Sequence, residues 1–296
     1  MNFTRIIETI AVNVMLQSVV TIVGGAYGLA RDLVRCGLGA ITLLDFDRID
    51  AANPARQDFY MNDLGRHKVT AVAEDLRRIN PEVDVRVLTR DFCEMSPEEI
   101  DEHFGDTDLL VYATDHFPAQ ARGNIEALRL NKPAMWIGMY ARGRAGEIIY
   151  HVPGLTPACY RCICASRYQA FPTGATRVPS TGGTILDLHL VDAVAGQIAV
   201  GMLTRGQDNR MGRLIEQLGD RNLLQIKIDP EYRLGEKDIF GLYLGNHPAN
   251  FSFSTIALPM DRDASCPDCG HFMFGPGGSR GTRSVKTQDS ISSADA

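Results

Sequence analysis

The first half of the chain alternates short apolar runs with amphipathic segments. The runs at 19–23, 40–44 and 108–113 are mostly apolar, which is typical of strands buried on both faces of a parallel sheet. Residues 66–79 place apolar side chains with the ~3.6-residue period of a helix, and Asn80-Pro81 ends that helix. We therefore predict an α/β protein with a Rossmann-like, doubly wound sheet.

The second half of the chain predicts a different arrangement. Residues 146–150 begin a half that we expect to be more antiparallel, which makes the whole sheet mixed. The tail 275–296 is rich in Gly and Ser and almost without apolar residues, so we expect it to be disordered. The other predicted elements are helices at 1–18, about 118–130 and about 184–203, and strands at 83–87, 135–138, 223–228, 240–244 and 250–258.

The stretch 19–68 carries the main chemical signal. Its first strand leads into a glycine turn, and its second strand ends on Asp45, roughly 20 residues after that turn. Glycines let the backbone approach a phosphate, and a carboxylate at this spacing can accept both hydroxyls of a ribose. The glycines of the turn are Gly24, Gly25 and Gly28.

Polar residues after Asp45 shift the prediction from a dinucleotide towards a triphosphate. Asn53, Arg56 and Lys68 can hold phosphates and neutralise charge as it develops on the α-phosphate. Asp115 lies at the end of the third apolar run, where ligands bind in doubly wound sheets, and its carboxylate can hold Mg²⁺.

Each of these residues also has a structural interpretation. Asp115 could cap the following helix, with Thr114 assisting. Arg56 and Lys68 could be ordinary surface cations. Asn53, which precedes a proline, could simply form a turn. Asp45 could likewise be a turn acid at a strand end, and we expect its neighbour Asp47 to be structural.

Cysteine spacing predicts a metal centre. Cys159 and Cys162 form one CxxC pair, and Cys266 and Cys269 form a second. Four thiolates in this pattern fit a closed, tetrahedral, structural Zn²⁺ site that joins two remote segments. The alternative is four unrelated buried thiols. The other cysteines are Cys36, which we place in the core, Cys93, which gives no signal, and Cys164.

Composition limits the class of protein. The 296 residues are 45% hydrophobic and 22% charged, with a net charge of −6, so the chain can bury a large core. The negative charge gives no support to binding of nucleic acid or of an anionic membrane. Polar residues interrupt the apolar segment 6–16, and no run reaches transmembrane length. We expect a cytoplasmic protein with reduced thiols.

At five places in order the sequence resembles the ubiquitin-activating enzymes and their bacterial relatives ThiF, MoeB and HesA. Members carry a glycine-rich turn, a strand end LxDxD, then SNLxRQ, GxxK and a TDN triplet. The matching residues here are the glycine turn, 43–47, 52–57, 65–68 and 113–116. MoeB-like proteins share the paired CxxC arrangement, including the sequence CYRC found at 159–162.

The resemblance, which spans roughly residues 19–270, implies an adenylyltransferase. Such an enzyme uses ATP and Mg²⁺ to activate the C-terminal carboxylate of a ubiquitin-like or other small carrier protein or peptide as an acyl-adenylate. The catalytic residues would be Arg56, Lys68 and Asp115. One domain, 1–274, would hold a nucleotide-binding part at about 19–140 and a carrier-binding and zinc part at about 141–274. The protein would form a homodimer, or a heterodimer with a related subunit, and Arg5 could enter the partner's site.

Three departures from the family pattern keep alternatives open. The glycine turn is about one helical turn shorter than in the family, and His116 replaces the usual Asn. The loop 174–180 lacks the cysteine that accepts the activated carboxyl in many members, which leaves Cys164 as a weak substitute. The chain could therefore be an inactive subunit that docks a carrier or a partner. A NAD-dependent oxidoreductase would use the glycine turn and Asp45 alone.

Overall fold

The central feature of the fold is one mixed sheet with helices on both faces. The structure is a computed structural model, which describes residues 1–174 and 182–270. Within these residues the sheet has eight strands in the order β3-β2-β1-β4-β5-β6-β7-β8. The strands are β1 (Val19–Gly24), β2 (Ala40–Leu44), β3 (Asp84–Leu88), β4 (Leu109–Ala113), β5 (Ala134–Met139), β6 (Ala145–His151), β7 (Leu223–Lys227) and β8 (Ser254–Leu258).

The sheet is parallel at one end and antiparallel at the other. Strands β3, β2, β1, β4 and β5 run parallel, with Val23 beside Leu44 and Gly24 beside Ala113. The strand order reverses at β1, between β2 and β4, which creates the crevice where doubly wound sheets bind ligands. Strands β5 to β8 pair antiparallel. The predicted fold class is confirmed.

Helices cover both faces because successive strand residues point to opposite sides. In β4, Leu109 and Val111 join one core, whereas Leu110 and Tyr112 join the other. Helices α2, α3 and α8 pack on the first face, and α4, α5 and α10 pack on the second. The helices are α1 (Val12–Met15), α2 (Tyr27–Arg35), α3 (Lys68–Ile79), α4 (Pro97–Phe104), α5 (Phe117–Arg129), α6 (Tyr160–Ile163), α7 (Ala165–Ala170), α8 (Ile185–Leu203), α9 (Leu214–Leu218) and α10 (Ile239–Leu244).

Three predicted elements are wrong in type or extent. Residues 240–244 form a helix rather than a strand: Asp238 caps it by accepting a hydrogen bond from the Gly241 amide, and its apolar run is too short to show a period. In the predicted helix 1–18, residues 4–9 form turns and only α1 is α-helical. The strand expected at 250–258 begins only at Ser254. The tail 275–296 lies outside the described residues.

Helix α8 contradicts the expectation that no apolar run reaches transmembrane length. Its 19 residues are long and apolar enough to cross a membrane by length and composition, although no such run was expected. In the fold, 44% of its most apolar window is buried, and the helix packs against α2 and the sheet. A packed core helix of this length passes the same test, so the finding is weak evidence for a membrane span.

Candidate functional site

The predicted nucleotide residues meet where β1, β2 and β4 end. Because β1 lies between β2 and β4 and all three run parallel, their carboxyl ends bring together Gly24, Asp45 and Asp115. These residues are far apart in the sequence. The crevice at the reversal of strand order is therefore lined by a glycine turn and two acids.

The glycines of the turn are used for close packing. Gly24 has φ +92°, and a Cβ there would lie 2.5 Å from the carbonyl oxygen of Ala113. The amide of Gly25 donates to the same oxygen at 2.7 Å. Gly28 faces α8 instead, where a Cβ would lie 2.3 Å from Oδ2 of Asp192. A phosphate contact by Gly24, Gly25 or Gly28 remains a prediction.

Asp45 is held by two hydrogen bonds. The Tyr27 hydroxyl donates to Oδ2 at 2.6 Å, and the Asp47 amide donates to Oδ1 at 2.8 Å. Burial raises the pKa of the Asp45 carboxyl, while the Tyr27 and Asp47 hydrogen bonds lower it. This acid is anchored inside the site more firmly than an exposed turn acid would be.

Lys68 reaches the same place from α3. The backbone of Ile49 bonds to that of Arg66, which draws the start of α3 against the segment after β2. Lys68 then bonds twice to Asp47, from its amide to the carbonyl oxygen at 3.0 Å and from Nζ to Oδ2 at 2.7 Å. Its side chain is only 12% exposed. This placement is unlike that of an ordinary surface cation, and Asp47 has the structural role expected of it.

Asn53 and Arg56 lie in the connection between β2 and α3. Asn53 and Asp50 are linked reciprocally: the Asp50 amide donates to Oδ1 of Asn53, and the Asn53 amide donates to Oδ1 of Asp50. Asn53 thus forms a turn, as its structural interpretation stated. Arg56 is half-buried, and its amide donates to the Asn53 carbonyl. Phosphate contacts by these two residues remain predictions.

Asp115 is exposed directly after β4. The N-cap of α5 is His116, and the structure shows no side-chain capping bond there, so Asp115 does not serve as the cap. Thr114 stabilises the turn, because its Oγ1 accepts a hydrogen bond from the His116 amide at 3.1 Å. Asp115 is therefore an exposed acid at the carboxyl end of β4, where a metal ligand is predicted.

A cavity of about 400 Å³ opens near the end of β2, where Phe46 lines it. None of its lining residues was predicted from the sequence, although they follow the ends of β2 and β3 along the chain, and ligands of doubly wound sheets bind at strand ends. The lining residues are Phe46, Thr89, Arg90, Asp91 and Glu94.

A thiol–imidazole pair was also missed, on the segment that contributes Asp91 and Glu94 to the cavity. Sγ of Cys93 lies 3.9 Å from Nδ1 of His116, two residues that no spacing rule connects. Arg122 holds the Cys93 segment by donating to its carbonyl oxygens. Burial, followed by the charge of Asp91, raises the pKa of the Cys93 thiol.

The four cysteines of the two CxxC pairs form one cluster, as predicted. All their Sγ atoms lie within 4.8 Å of one another, with separations of 3.7 Å (Cys159–Cys162), 3.8 Å (Cys159–Cys266) and 3.5 Å (Cys162–Cys269). Zn–S bonds of about 2.3 Å in a tetrahedron put sulfur atoms about 3.8 Å apart. The cluster therefore fits a zinc ion.

Polar side chains surround this cluster and tie it to α5. Asn124 donates to Sγ of Cys159 at 3.7 Å and to Asp268 at 2.8 Å, and Arg161 pairs with Asp268 at 2.9 Å. Such outer contacts orient metal ligands. Cys164 lies outside the cluster; it is 5% exposed, and burial raises its pKa to about 12. Cys36 is half-buried against the core, as expected.

The fold defines a Rossmann-like α/β protein with a Cys₄ cluster. A match to the ThiF family covers residues 5–214, which is more than half of the chain. The chain belongs to the ThiF family, and the resemblance drawn from its motifs is confirmed.

Curated relatives support the same assignment. Ubiquitin-like modifier-activating enzyme 5 of Caenorhabditis elegans is 31% identical over 158 residues, which are 50% of this chain and 38% of that protein. The probable adenylyltransferase/sulfurtransferase MoeZ of Mycobacterium tuberculosis (strain ATCC 25618 / H37Rv) is 27% identical over 207 residues, 68% of this chain and 51% of that protein. The chain thus spans about a third to a half of the length of such relatives.

Solved structures share the fold. E. coli MccB, crystallised with ATP, has a TM-score of 0.64 and 20% identity over 88% of this chain and 68% of its own. The protein PaaA has a TM-score of 0.58 and 17% identity over 75% of this chain and 73% of its own. At this level of identity the likeness concerns architecture alone.

Proposed function

We propose that the protein is an ATP-dependent adenylyltransferase that activates the C-terminal carboxylate of a ubiquitin-like or other small carrier protein or peptide. The observation that carries the proposal is the convergence of Asp45 and Asp115 at the carboxyl ends of β2 and β4, on either side of β1, with Lys68 joined to the segment after β2 through Asp47. Membership of the ThiF family and the names of its relatives support it.

The reaction needs position and charge from the protein. An oxygen of the carrier carboxylate attacks the α-phosphorus of ATP, the bond from that phosphorus to the bridging oxygen breaks, and pyrophosphate leaves with the electron pair. Asp45 accepts the ribose hydroxyls, and Lys68 and Arg56 neutralise charge on the phosphates. Magnesium, brought in with ATP and held by Asp115, would polarise the phosphate oxygens. The test is ATP–pyrophosphate exchange that depends on a carrier.

We place the surface for that carrier at the antiparallel end of the sheet. Phe251 and Phe253 are 64% and 72% exposed and precede β8, the last strand of the described sheet. Asn250 ties this segment to the end of α10, where Leu242 is 73% exposed. Exposed aromatic side chains beside a strand edge suit a partner that adds a strand and buries apolar anchors.

Phe253→Asp is expected to raise the KM for the carrier about tenfold or more, because a charge would enter an apolar contact. The KM for ATP should not change, since the segment lies away from the nucleotide crevice. Ile125→Asp is the control, as it places the same charge at another exposed apolar position, 51% exposed on α5. Equal carrier KM values for Phe253→Asp and wild type would remove this surface from the proposal.

No thioester step is proposed. Cys164 is buried with a raised pKa, the pKa of Cys93 is also raised, and the zinc-type thiols would be held by a metal. After incubation with ATP and carrier, a non-reducing gel should show no thiol-sensitive adduct, and Cys164→Ser should exchange like wild type. A reducible band lost in Cys164→Ser would make that residue an acceptor, and one lost in Cys93→Ser would point to the pair with His116.

The four-cysteine cluster is proposed to hold one structural Zn²⁺. Cys159, Cys162, Cys266 and Cys269 would supply all four ligands and leave no open position for chemistry. The ion would join α6 to the segment after β8 and leave the nucleotide crevice untouched.

Two other functions are less favoured. An oxidoreductase would leave Lys68, Asp115 and the cysteine cluster unused, and calorimetry that shows binding of NAD rather than ATP would revive it. An inactive docking subunit would bind a carrier without supporting exchange. A homodimer or heterodimer and a cytoplasmic location remain predictions; sedimentation and cell fractionation test them.

A further inference from the structure

An aromatic residue, Tyr27, joins the glycine turn to the acid at the end of β2. Tyr27 is the first residue of α2, only 1% exposed, at a point where the chain has just left the turn. Its hydroxyl donates to Oδ2 of Asp45 at 2.6 Å. Its ring packs edge-on against Phe59, with centroids 5.5 Å apart. Tyr27 therefore connects the glycine turn, the acid at the end of β2 and the segment that carries Arg56.

These contacts fix the direction of the Asp45 carboxylate. Tyr27 occupies one lone pair of Oδ2, and the Asp47 amide occupies one lone pair of Oδ1. An ionised carboxylate has about four acceptor positions, so one remains on each oxygen. Burial, followed by the charge of Asp45, raises the pKa of the Tyr27 hydroxyl well above its ordinary value, which keeps it a donor at neutral pH.

We propose that Tyr27 is a positioning residue that holds Asp45 with one free acceptor on each oxygen, so that the site selects ribonucleotides over 2′-deoxyribonucleotides. The inference rests on the proposed nucleotide site, yet it does not require that adenylation follows. With both free positions set, two neighbouring hydroxyls of a sugar can each donate one hydrogen bond. A 2′-deoxy sugar leaves one acceptor position of the half-buried Asp45 carboxylate without a hydrogen bond, which lowers the affinity of the site for the deoxynucleotide.

Tyr27→Phe tests the inference, because it removes one oxygen atom and keeps the ring that contacts Phe59. The matched control is Tyr150→Phe: Tyr150 is 0% exposed, and its hydroxyl donates to the Arg221 carbonyl at 2.8 Å in the antiparallel half. Dissociation constants for Mg·ATP and Mg·2′-deoxyATP are measured by calorimetry on the full chain. The thermal unfolding of both variants confirms that each is folded.

The expected result for Tyr27→Phe is about tenfold weaker binding of ATP, the scale of one lost hydrogen bond to a charged group. Binding of 2′-deoxyATP should weaken less, so the preference for ATP shrinks. Tyr150→Phe should keep the wild-type values. Equal weakening for both nucleotides, or no change in either, would overturn the inference. Wild type that prefers ATP but shows no exchange would instead contradict the adenylation proposal alone.

Discussion

Asp115→Ala is expected to abolish carrier-dependent ATP–pyrophosphate exchange while leaving the fold intact. The carboxylate follows β4 at the open crevice, is exposed and does not cap α5, so its removal takes nothing from the core. Without it Mg²⁺ loses its proposed protein ligand, and the triphosphate loses its orientation. Exchange of labelled pyrophosphate into ATP measures the effect, and thermal unfolding checks the fold.

Asp106→Ala is the matched control for this variant. Asp106 is also an exposed acid, but it lies in the connection that precedes β4 and so at the opposite end of the strand. It should exchange at the wild-type rate. If Asp115→Ala also exchanged at that rate, Asp115 would have no part in the mechanism.

The two cations extend the same experiment. Arg56→Ala and Lys68→Ala should each lower the exchange rate by roughly 10²-fold or more, the scale of one lost contact in the transition state. Lys68 contacts Asp47 in this structure, and an ammonium with three donors can hold that acid and a phosphate together. A loss of binding alone, with the maximal rate unchanged, would assign these residues to ground-state affinity.

Cys266→Ser is expected to lose the metal and to destabilise the fold strongly. Structural zinc contributes free energy on the order of 10 kcal/mol or more in small domains, and here the ion would join segments 107 residues apart in the chain. Elemental analysis should find one zinc per chain in the wild type and much less in Cys266→Ser. Nucleotide contacts should not change in whatever fraction stays folded.

Cys36→Ser separates loss of metal from loss of a thiol. Cys36 is half-buried against the core and lies outside the cluster, so this variant should keep its zinc and most of its stability. Wild-type protein that contains no zinc would contradict the metal site. So would full zinc content in Cys266→Ser.

The sequence predicted best those elements whose pattern is local and repeated. Helix α3 and the buried strands β1, β2 and β4 follow directly from periodicity and apolar runs, because burial on one side or on both leaves a distinct pattern. The strand predicted at 240–244 was wrong, because a short apolar run is equally typical of a strand and of a buried helical turn. A helix forms there because Asp238 caps its N-terminus and Phe240 is buried in the core.

By itself, the sequence determined the family, the parallel half of the sheet and the residue types of both sites. Spaced motifs and paired CxxC sequences keep their order along the chain, so they can be recognised without coordinates. Only the tertiary structure placed Tyr27 on Asp45, Cys93 beside His116 and Asp192 against Gly28. These contacts join residues on separate elements, and their distances depend on how strands and helices pack, which no local pattern records.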